Sequence, residues 1–275
     1  MRLVHLSDLH FGHHDPVVAA GLAEDIASQN ADLVVISGDF TQIGSRDEFR
    51  TARAFLDTLK KPVFAVPGNH DVPGKNLLRR FLNPYKLYRR YIDEDTEPMM
   101  EIDGVVLVGM RTTRRARFEL DWSNGSISRE QLEHLEARFA EAPPDAIRII
   151  VAHHPLLFPT QQMQHPKKLV KRADEALETF ARLGVRLVLS GHFHLSYVRR
   201  HDTPGALREG APTGLRESAV AGILVAQASS TISTRLRGDP NAYNIVDIRD
   251  GDITITVREW QGKLWFTREK ATEPA

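Results

Sequence analysis

The sequence predicts an α/β domain in which strands and helices alternate before a hairpin closes the chain. Nine short runs of apolar and β-branched residues have the length and composition of strands. Helical periodicity fills most intervals between them, and the turn Asp250-Gly251-Asp252 separates the last two runs as in a β-hairpin. Strands that alternate with helices indicate a layered α/β architecture.

The predicted strands fall into two kinds. The first six runs are almost continuous in apolar residues, which is typical of strands covered on both faces, whereas the last two alternate more. The nine predicted strands are Arg2–Ser7, Leu33–Ser37, Val63–Pro67, Val105–Met110, Ile147–Ala152, Arg186–Ser190, Gly222–Ala228, Tyr243–Arg249 and Ile253–Glu259.

Four amphipathic segments predict helices, because their apolar residues recur every three or four positions. One of them begins after Ser128, which forms a capping box with Gln131. The other three are Pro16–Asn30, Asp47–Leu59 and Leu169–Leu183, the last of which ends at the helix-stopping Gly184.

Four segments rich in charge, proline or glycine show neither period and are predicted to be irregular. Long loops of this kind inside a domain often carry function. They are Val72–Glu101, Arg111–Gly125, Pro155–Lys168 and Thr203–Glu217. Since no linker or repeat divides the sequence, we expect a single domain over residues 1–269 and a frayed tail over residues 270–275.

Composition excludes several kinds of site. The chain has 275 residues, 36 basic and 36 acidic, with twelve histidines and no cysteine. Thiolate zinc sites, iron–sulfur clusters and cysteine nucleophiles are therefore excluded, and any transition metal must be held by imidazole and oxygen ligands. A formal charge of zero argues against a dedicated nucleic-acid or anionic-membrane binder. No signal peptide or membrane span is apparent, so a cytoplasmic location is expected.

Metal-competent side chains follow five of the predicted strands, at the point where each strand ends. Because ligands bind at the carboxyl ends of strands in α/β sheets, we expect these side chains to meet in one cleft. Glycines 38, 68 and 191 precede three of the groups and permit tight turns and close backbone approach. The seven candidate donors are Asp8, His10, Asp39, Asn69, His153, His192 and His194.

The number of donors indicates a binuclear site. Seven ligands are too many for one tetrahedral zinc ion but suit two ions that share a carboxylate. Two ions about 3.5–4 Å apart form a clamp for displacement at phosphorus. The sequence lacks a Gly-rich phosphate loop of the G-x-x-x-x-G-K-[ST] kind, which weighs against nucleoside-triphosphate motor chemistry.

The ordered motifs resemble a known family. The series Asp8-x-His10, Gly38-Asp39, Gly68-Asn69-His70-Asp71, His153-x-Pro155 and Gly191-His192-x-His194 resembles the signature of calcineurin-like metallophosphoesterases. More narrowly, residues 5–12 and residues 233–238 with Pro240-Asn241 resemble bacterial class III cyclic-nucleotide phosphodiesterases. The resemblance implies a four-layer α/β/β/α sandwich of two mixed β-sheets flanked by helices.

The resemblance also implies the role of each site residue. Asp8, His10 and His194 would hold one ion, Asn69, His153 and His192 the other, and Asp39 would bridge them. A hydroxide between the ions would be the nucleophile, and the ions would be Mn, Fe or Zn. His70 would contact the phosphate or protonate the leaving group, held in orientation by Asp71. The residues expected to bind substrate are His10, Asp39, Asn69, His70 and His194.

The resulting prediction is a metal-dependent phosphodiesterase that hydrolyses a small anionic ester, with a 3′,5′-cyclic nucleotide as the preferred substrate. Alternatives within the family are a phosphomonoesterase, a glycerophosphodiesterase and a lipid-linked pyrophosphatase. Neutral charge weighs against a nuclease, and a metal-free scaffold would lack ligands that this chain retains. A homodimer is a possible assembly.

Several residues outside the motifs also receive a prediction. His5 is expected to be a core histidine. His154 is expected to contact the metal ligands at most, and not to bind a metal itself. Arg235, Arg237 and Asn241 are candidates for a place near the substrate, but the sequence does not position them.

Overall fold

The structure is a computed structural model that describes residues 1–74, 77–114, 124–160, 168–202 and 222–268. Its strands are β1 Arg2–Leu6, β2 Leu33–Ile36, β3 Val63–Ala65, β4 Met99–Ile102, β5 Val105–Met110, β6 Ile147–Ala152, β7 Val185–Ser190, β8 Tyr197–Asp202, β9 Gly222–Gln227, β10 Ala242–Arg249, β11 Asp252–Trp260 and β12 Trp265–Thr267. Its helices are α1 Pro16–Ser28, α2 Arg46–Leu59, α3 Leu77–Leu82, α4 Lys86–Tyr91, α5 Arg129–Ala140 and α6 Ala173–Arg182.

The strands form two six-stranded mixed sheets. The first has the order β12-β11-β10-β1-β2-β3, in which β1, β2 and β3 are parallel and β10 is antiparallel to β1. The second has the order β4-β5-β6-β7-β9-β8, in which the four central strands are parallel and the two edge strands are antiparallel.

Three apolar clusters arrange these elements in four layers. The inner faces of both sheets contribute to one cluster, in which Val35 and Phe64 of the first sheet meet Leu107 and Val151 of the second. The outer face of the first sheet packs against α1, α2 and α4, and the outer face of the second packs against α5 and α6. The predicted architecture of two mixed sheets between helical layers is therefore confirmed. None of the helices in the described ranges is long and apolar enough to cross a membrane.

Local sequence signals account for where the helices begin. Ser45 and Glu48 form a capping box at the start of α2, and the predicted box of Ser128 and Gln131 starts α5. The side chain of Asp15 accepts hydrogen bonds from the first turn of α1, which begins at Pro16. These caps satisfy backbone N–H groups that lack an intrahelical acceptor.

The structure corrects the prediction in three places. Val72–Glu101, predicted to be irregular, contains α3, α4 and the start of β4. The strands β8 and β12 were not predicted, because β8 is an edge strand rich in charge and β12 has three residues. Helix α6 begins four residues later than predicted, because Val170 and Lys171 donate backbone hydrogen bonds to Pro155 and Gly125 instead.

Some predicted segments lie outside the described residues. These are most of Arg111–Gly125, the second half of Pro155–Lys168, all of Thr203–Glu217 and the tail at residues 270–275.

Candidate metal centre

The carboxyl ends of strands from both sheets converge on one buried cluster. Beyond β1, β2 and β3, the first sheet supplies Asp8, His10, Asp39 and Asn69, and beyond β6 and β7 the second sheet supplies His153, His192 and His194. The first two segments are joined by backbone hydrogen bonds, from Asp8 N to Gly38 O at 3.1 Å and from His10 N to Asp39 O at 3.0 Å.

The backbone of the cluster is locally strained. Five of the seven predicted donors have a positive φ angle, in the left-handed region that non-glycine residues rarely adopt. Each such residue costs on the order of 1–2 kcal/mol, and strain of this kind concentrates at functional sites. The five residues are Asp8 (51°), His10 (48°), Asp39 (55°), His192 (76°) and His194 (62°).

Two glycines allow the segments to approach one another. A Cβ atom on Gly191 would lie 1.8 Å from Ser7 Oγ and 2.6 Å from Asp8 Oδ2. A Cβ atom on Gly68 would lie 2.1 Å from Asp39 Oδ1. The close approach predicted from the sequence at these two positions is therefore confirmed.

The first group of donors surrounds one oxygen of Asp8. Asp8 Oδ1 lies 3.2 Å from His194 Nε2 and 3.6 Å from His10 Nε2, and all three residues are buried. The other oxygen, Oδ2, accepts hydrogen bonds from the Ser7 hydroxyl and the backbone N–H of His192. Within the described part of the chain, neither Asp8 Oδ1 nor His10 Nε2 has a hydrogen-bond partner. Buried polar atoms without partners are costly, and a cation bound between them would satisfy both.

The second group surrounds Asp39 and His153. His153 Nε2 lies 3.3 Å from Asp39 Oδ2 and 3.1 Å from Asn69 Oδ1. The ring of His192 lies 5.1 Å from that of His153, centroid to centroid, and donor atoms of the two are within 4.8 Å of each other. Asp39 Oδ2 is also 3.7 Å from His10 Nε2. Asp39 therefore lies between the two groups, at the place expected of a bridging ligand.

Backbone carbonyls fix the tautomers of two histidines. The carbonyl of Ser37 accepts a hydrogen bond from His153 Nδ1 at 2.8 Å, and that of Arg235 accepts one from His194 Nδ1 at 3.0 Å. Because a carbonyl only accepts, each Nδ1 carries a proton, and Nε2 is the nitrogen that faces the cluster and would bind a metal once it is deprotonated. This arrangement is typical of histidines that bind metals.

The electrostatics of the cluster favour a cation. Burial alone would raise the pKa of Asp8, but His194 and His10 hold it well below its usual value. Burial is likewise outweighed at Asp39, where His153 and His70 hold the pKa of the carboxyl well below its usual value. Burial lowers the pKa of His153, yet Asp39 raises it to about 9. Both carboxylates are therefore ionised, and positive charge is favoured between them.

His70 lies at the edge of the cluster. Its ring centroid is 4.9 Å from that of His10, and its backbone N–H donates to Asp39 Oδ1 at 2.8 Å. His70 Nδ1 lies 2.6 Å from the carbonyl oxygen of Gln42, to which it donates. Its Nε2 is therefore the nitrogen left to exchange a proton with a substrate.

Asp71, which was predicted to hold His70 in orientation, has no hydrogen bond to the His70 ring in the described part of the chain. The Asp71 carboxylate instead accepts hydrogen bonds from Gly68 N at 2.8 Å and from Thr41 N at 3.0 Å, so it holds the turn that carries Asn69. The Gln42 carbonyl orients His70 in its place. A backbone acceptor carries no residue signature, so the sequence offered no signal for it.

Two further histidines lie where the sequence placed them. His5 is fully buried on β1, with its Nε2 3.0 Å from Ser37 Oγ. His154 is buried behind His153, and its Nδ1 lies 2.7 Å from Thr112 Oγ1. His154 also lies in a group with His153 and His192 whose donor atoms are all within 4.8 Å of one another.

The donor set fits a pair of transition-metal ions. Among the residues that the structure describes, four overlapping groups of histidine and aspartate come close enough to hold an ion, and three of them include Asp8 or Asp39. Carboxylate, imidazole and amide oxygen ligands suit Mn, Fe and Zn alike. Residues 1–196 match the calcineurin-like phosphoesterase family. The chain belongs to this family.

Relatives of this phosphoesterase carry phosphodiesterase names. A probable cyclic nucleotide phosphodiesterase of Synechococcus sp. is 26% identical over 182 residues, which are 66% of this chain and 65% of that protein. A glycerophosphodiester phosphodiesterase of Enterobacter lignolyticus is 28% identical over 182 residues, 59% of this chain and 60% of that protein. A 3′,5′-cyclic adenosine monophosphate phosphodiesterase of Haemophilus influenzae is 26% identical over 180 residues, 64% and 60% respectively. The match spans less than two thirds of the length of each of these three relatives.

Solved structures of phosphatases share the fold of this phosphoesterase. A dimetal phosphatase from Danio rerio superposes with a TM-score of 0.65 at 14% identity, covering 97% of this chain and 98% of that one. A purple acid phosphatase from yellow lupin superposes with a TM-score of 0.68 at 14% identity, covering 97% and 52%. These likenesses confirm the fold class. Family membership and the phosphodiesterase-named relatives support the predicted class of enzyme, a metal-dependent phosphoester hydrolase.

Proposed function

We propose that this chain is a binuclear phosphodiesterase that hydrolyses a small phosphodiester, with a 3′,5′-cyclic nucleotide as the preferred substrate. The observation that carries the proposal is the cluster of seven donors, six of them buried, in which Asp39 lies between two groups of ligands. The relatives named for cyclic nucleotides support the choice of substrate. The ions are proposed to be Mn, Fe or Zn.

The proposed ligands follow from the two groups. Asp8, His10 and His194 would hold one ion and Asn69, His153 and His192 the other, and Asp39 would be shared between them. When bound, the two ions supply an activated water molecule and neutralise charge on the phosphoryl group. The fixed tautomers of His153 and His194 keep their Nε2 atoms available as ligands without reorganisation.

His70 is the proposed general acid. An alkoxide is a poor leaving group, so its departure needs a proton in the transition state. Because Nδ1 keeps its proton for the Gln42 carbonyl, His70 can act as an acid only as the imidazolium, in which Nε2 carries a second proton that passes to the leaving oxygen. Burial lowers the pKa of His70, whereas the Asp39 carboxylate acts to raise it and so favours this protonated form. The backbone bond from His70 to Asp39 Oδ1 holds this residue beside the phosphoryl position. His10, Asp39, Asn69 and His194 are proposed to contact the substrate with it.

Asp71 acts in this proposal through the backbone. Its carboxylate is buried, and burial together with Asp39 raises its pKa to about 7. Its hydrogen bonds from Gly68 and Thr41 hold the short helical turn Asn69–Asp71 against the segment after β2. It is thus a positioning residue for Asn69 and His70.

A second candidate function is hydrolysis of glycerophosphodiesters, which is favoured by the relative of that name. Phosphomonoesters and lipid-linked pyrophosphates are further candidate substrates. The single domain over residues 1–269, the cytoplasmic location and the homodimer stay predictions from the sequence.

A substrate panel tests the proposal. Metal analysis of the purified protein is expected to find two ions per chain, and the protein supplied with manganese is then assayed on five substrates. These are cyclic AMP, 2′,3′-cyclic nucleotides, glycerophosphodiesters, and nitrophenyl monoesters and diesters. Cyclic AMP is expected to have the highest kcat/KM among the natural esters. A large preference for monoesters, or an intact protein that binds no metal, would contradict the proposal.

A further inference from the structure

The segment between β9 and β10, residues 229–241, lies against the flank of the metal cluster and is held on several sides. We call it the arginine loop, because it contains Arg235 and Arg237. The backbone N–H of Thr234 donates to the carbonyl of His13 at 2.9 Å. Asn241 Nδ2 donates to the carbonyls of Ser230 and Ser233 at 3.1 and 2.9 Å. A loop fixed by bonds at both ends and in its middle holds its side chains in place before a ligand arrives.

The arginine loop is also bonded directly to the cluster. His194 Nδ1 donates to the backbone carbonyl of Arg235, and Ser230 Oγ lies beside the same nitrogen. The guanidinium of Arg235 donates to Gln42 Oε1 at 3.1 Å, and the carbonyl of Gln42 in turn accepts from His70. Arg235 therefore has partners within the protein and supports two residues of the proposed site.

Arg237 is placed differently. Its side chain is exposed, and within the described part of the chain no carboxylate lies within 4 Å of it and no hydrogen bond involves it. The one acid in the arginine loop, Asp239, accepts instead from Ser196 N at 2.8 Å and lies 3.6 Å from Arg268. Nothing nearby in the loop neutralises the guanidinium.

The guanidinium of Arg237 nevertheless lies within electrostatic reach of the site. Although the residue is exposed, partial desolvation of the guanidinium and the neighbouring Arg235 lower the pKa of Arg237, whereas the carboxylates of Asp8 and Asp39 act to raise it. Arg237 follows by two residues Arg235, whose backbone carbonyl is bonded to His194 at 3.0 Å, so it is anchored at the flank of the cluster. An arginine stays protonated under all ordinary conditions, and the loop therefore holds a fixed positive charge beside the cluster. Once cations occupy the carboxylates of Asp8 and Asp39, these carboxylates no longer attract the guanidinium of Arg237. An anionic group of a bound ligand would then be its partner.

We propose that Arg237 binds a non-bridging oxygen of the substrate phosphoryl group at the rim of the metal centre. This inference rests on the proposed function, because the anion that Arg237 binds is the ester or product at the same site. A guanidinium matches the geometry of phosphate oxygens with two parallel hydrogen bonds. The arginine loop gives the residue its position, and Arg237 provides the contact that the metal ligands lack.

Phosphate binding tests this role without turnover. The metal-loaded wild-type protein, Arg237→Gln and Arg237→Lys are titrated with inorganic phosphate by calorimetry, after their metal content is shown to be equal. Loss of a charge-assisted hydrogen bond is expected to weaken binding by Arg237→Gln about tenfold or more. Arg237→Lys keeps the positive charge but cannot form two parallel hydrogen bonds. Its affinity for phosphate is therefore expected to lie between those of the wild-type protein and Arg237→Gln.

The matched control is Arg249→Gln, which removes the same charge at the far end of β10. It is expected to bind phosphate with wild-type affinity. If Arg237 only adds to the long-range attraction of the protein for anions, both glutamine variants would bind phosphate more weakly by the same factor. The difference from wild type would then disappear in about 0.5 M sodium chloride, where charges are screened within a few ångströms. That result would overturn the proposal. So would a phosphate affinity of Arg237→Gln within about twofold of wild type, or a wild-type protein that binds no phosphate.

Kinetics separate this inference from the proposed function. On bis(p-nitrophenyl) phosphate, Arg237→Gln is expected to raise KM about tenfold while kcat changes by less than about threefold. If no ester in the panel is hydrolysed but Arg237→Gln still weakens phosphate binding, the proposed activity fails and the phosphate site stands. If esters are hydrolysed and Arg237→Gln has wild-type KM and phosphate affinity, the activity stands and the role of Arg237 is wrong.

Discussion

At the scale of single residues, the site combines groups that the sequence identifies with groups that it does not. The seven donors were predicted because histidine, aspartate and asparagine follow the ends of apolar strands, where ligands bind in α/β sheets. Their supporting partners were not, because Gln42 and Ser37 act through backbone carbonyls. Any residue can supply a carbonyl, so only the fold reveals which one is in reach. For the same reason the sequence did not identify the Gln42 carbonyl as the acceptor for the His70 ring.

The role of His70 gives a prediction at this scale. Removal of a general acid typically costs about 10²- to 10⁴-fold in rate, and the cost is largest where the leaving group is most basic. His70→Ala is therefore expected to lose more kcat on an alkyl phosphodiester than on bis(p-nitrophenyl) phosphate, whose nitrophenolate leaves without a proton. Steady-state assays on both esters measure the two losses. His134→Ala, on the exposed face of α5, is the control. Equal losses on both esters would rule out proton donation by His70.

At the scale of elements, prediction succeeded where a strand or helix is decided by its own sequence. The buried strands β1, β2, β5 and β6 lie within one or two residues of their predicted bounds, because continuous apolar runs leave no alternative. The edge strand β8 depends on pairing with β9, and its run Tyr197–Asp202 contains four charged or histidine residues. Helix α6 starts late because a bridge between Ser126 and Lys171 holds the preceding residues extended. Long-range pairing decides such cases, and a local pattern does not contain it.

The junction after β7 yields a prediction about packing. Any side chain at position 191 must overlap Ser7 Oγ and Asp8 Oδ2, so the segments after β1 and β7 would have to separate. Gly191→Ala is expected to lower the free energy of unfolding by about 1–3 kcal/mol, the usual cost of overpacking, and to lower the metal content. Denaturant unfolding and metal analysis measure the two effects. Gly74→Ala is the control, since a Cβ atom there meets nothing closer than 4.0 Å. Equal stability of the two variants would contradict this account of the junction.

The histidine that links three central strands gives a prediction about pH. His5 on β1 lies between Ser37 Oγ and Asn244 Nδ2, at 3.0 and 3.2 Å, and burial lowers its pKa from 6.5 to about 3. Between pH 6.5 and about pH 3, the unfolded chain therefore binds a proton at His5 and the folded chain does not. The free energy of unfolding is then expected to fall by about 1.4 kcal/mol for each pH unit as pH decreases through this window.

Comparison with His5→Gln isolates this contribution. The variant has no titrating group at position 5, so its free energy of unfolding is expected to decrease less steeply than that of wild type between pH 6 and pH 4. The difference in slope corresponds to the one proton that the unfolded wild-type chain binds at His5. Chemical unfolding of both proteins at matched metal concentration, repeated across the window, gives the two slopes. Parallel slopes would show that His5 does not titrate as its burial requires.

At the scale of the whole molecule, the two sheets meet in an apolar core and again at the metal centre. The inner cluster joins them through side chains such as Val35, Phe64 and Val151. At the carboxyl ends of the strands, Asp8 and Asp39 from the first sheet face His153 and His194 from the second. The first contact is stabilised by burial of apolar surface, whereas the second brings buried charges and strained residues together. Ions bound between these side chains would offset the cost of the buried charges and hold the two sheets together.

Removal of metal is therefore expected to destabilise the whole fold. A ligand that binds only the folded state adds about 2.7 kcal/mol when present at a hundred times its Kd. For a chain of this size, such a change corresponds to a fall in Tm of about 5–10 °C on chelation, with one cooperative transition before and after. Calorimetry of the metal-loaded and chelator-treated protein measures it. Asp39→Asn keeps the shape and the left-handed tolerance of the residue but removes the shared charge, so its Tm should hardly respond to chelator. If chelator leaves the Tm of the wild-type protein unchanged, this prediction is wrong. The protein alone would then compensate for the strain and the buried charge of the cluster.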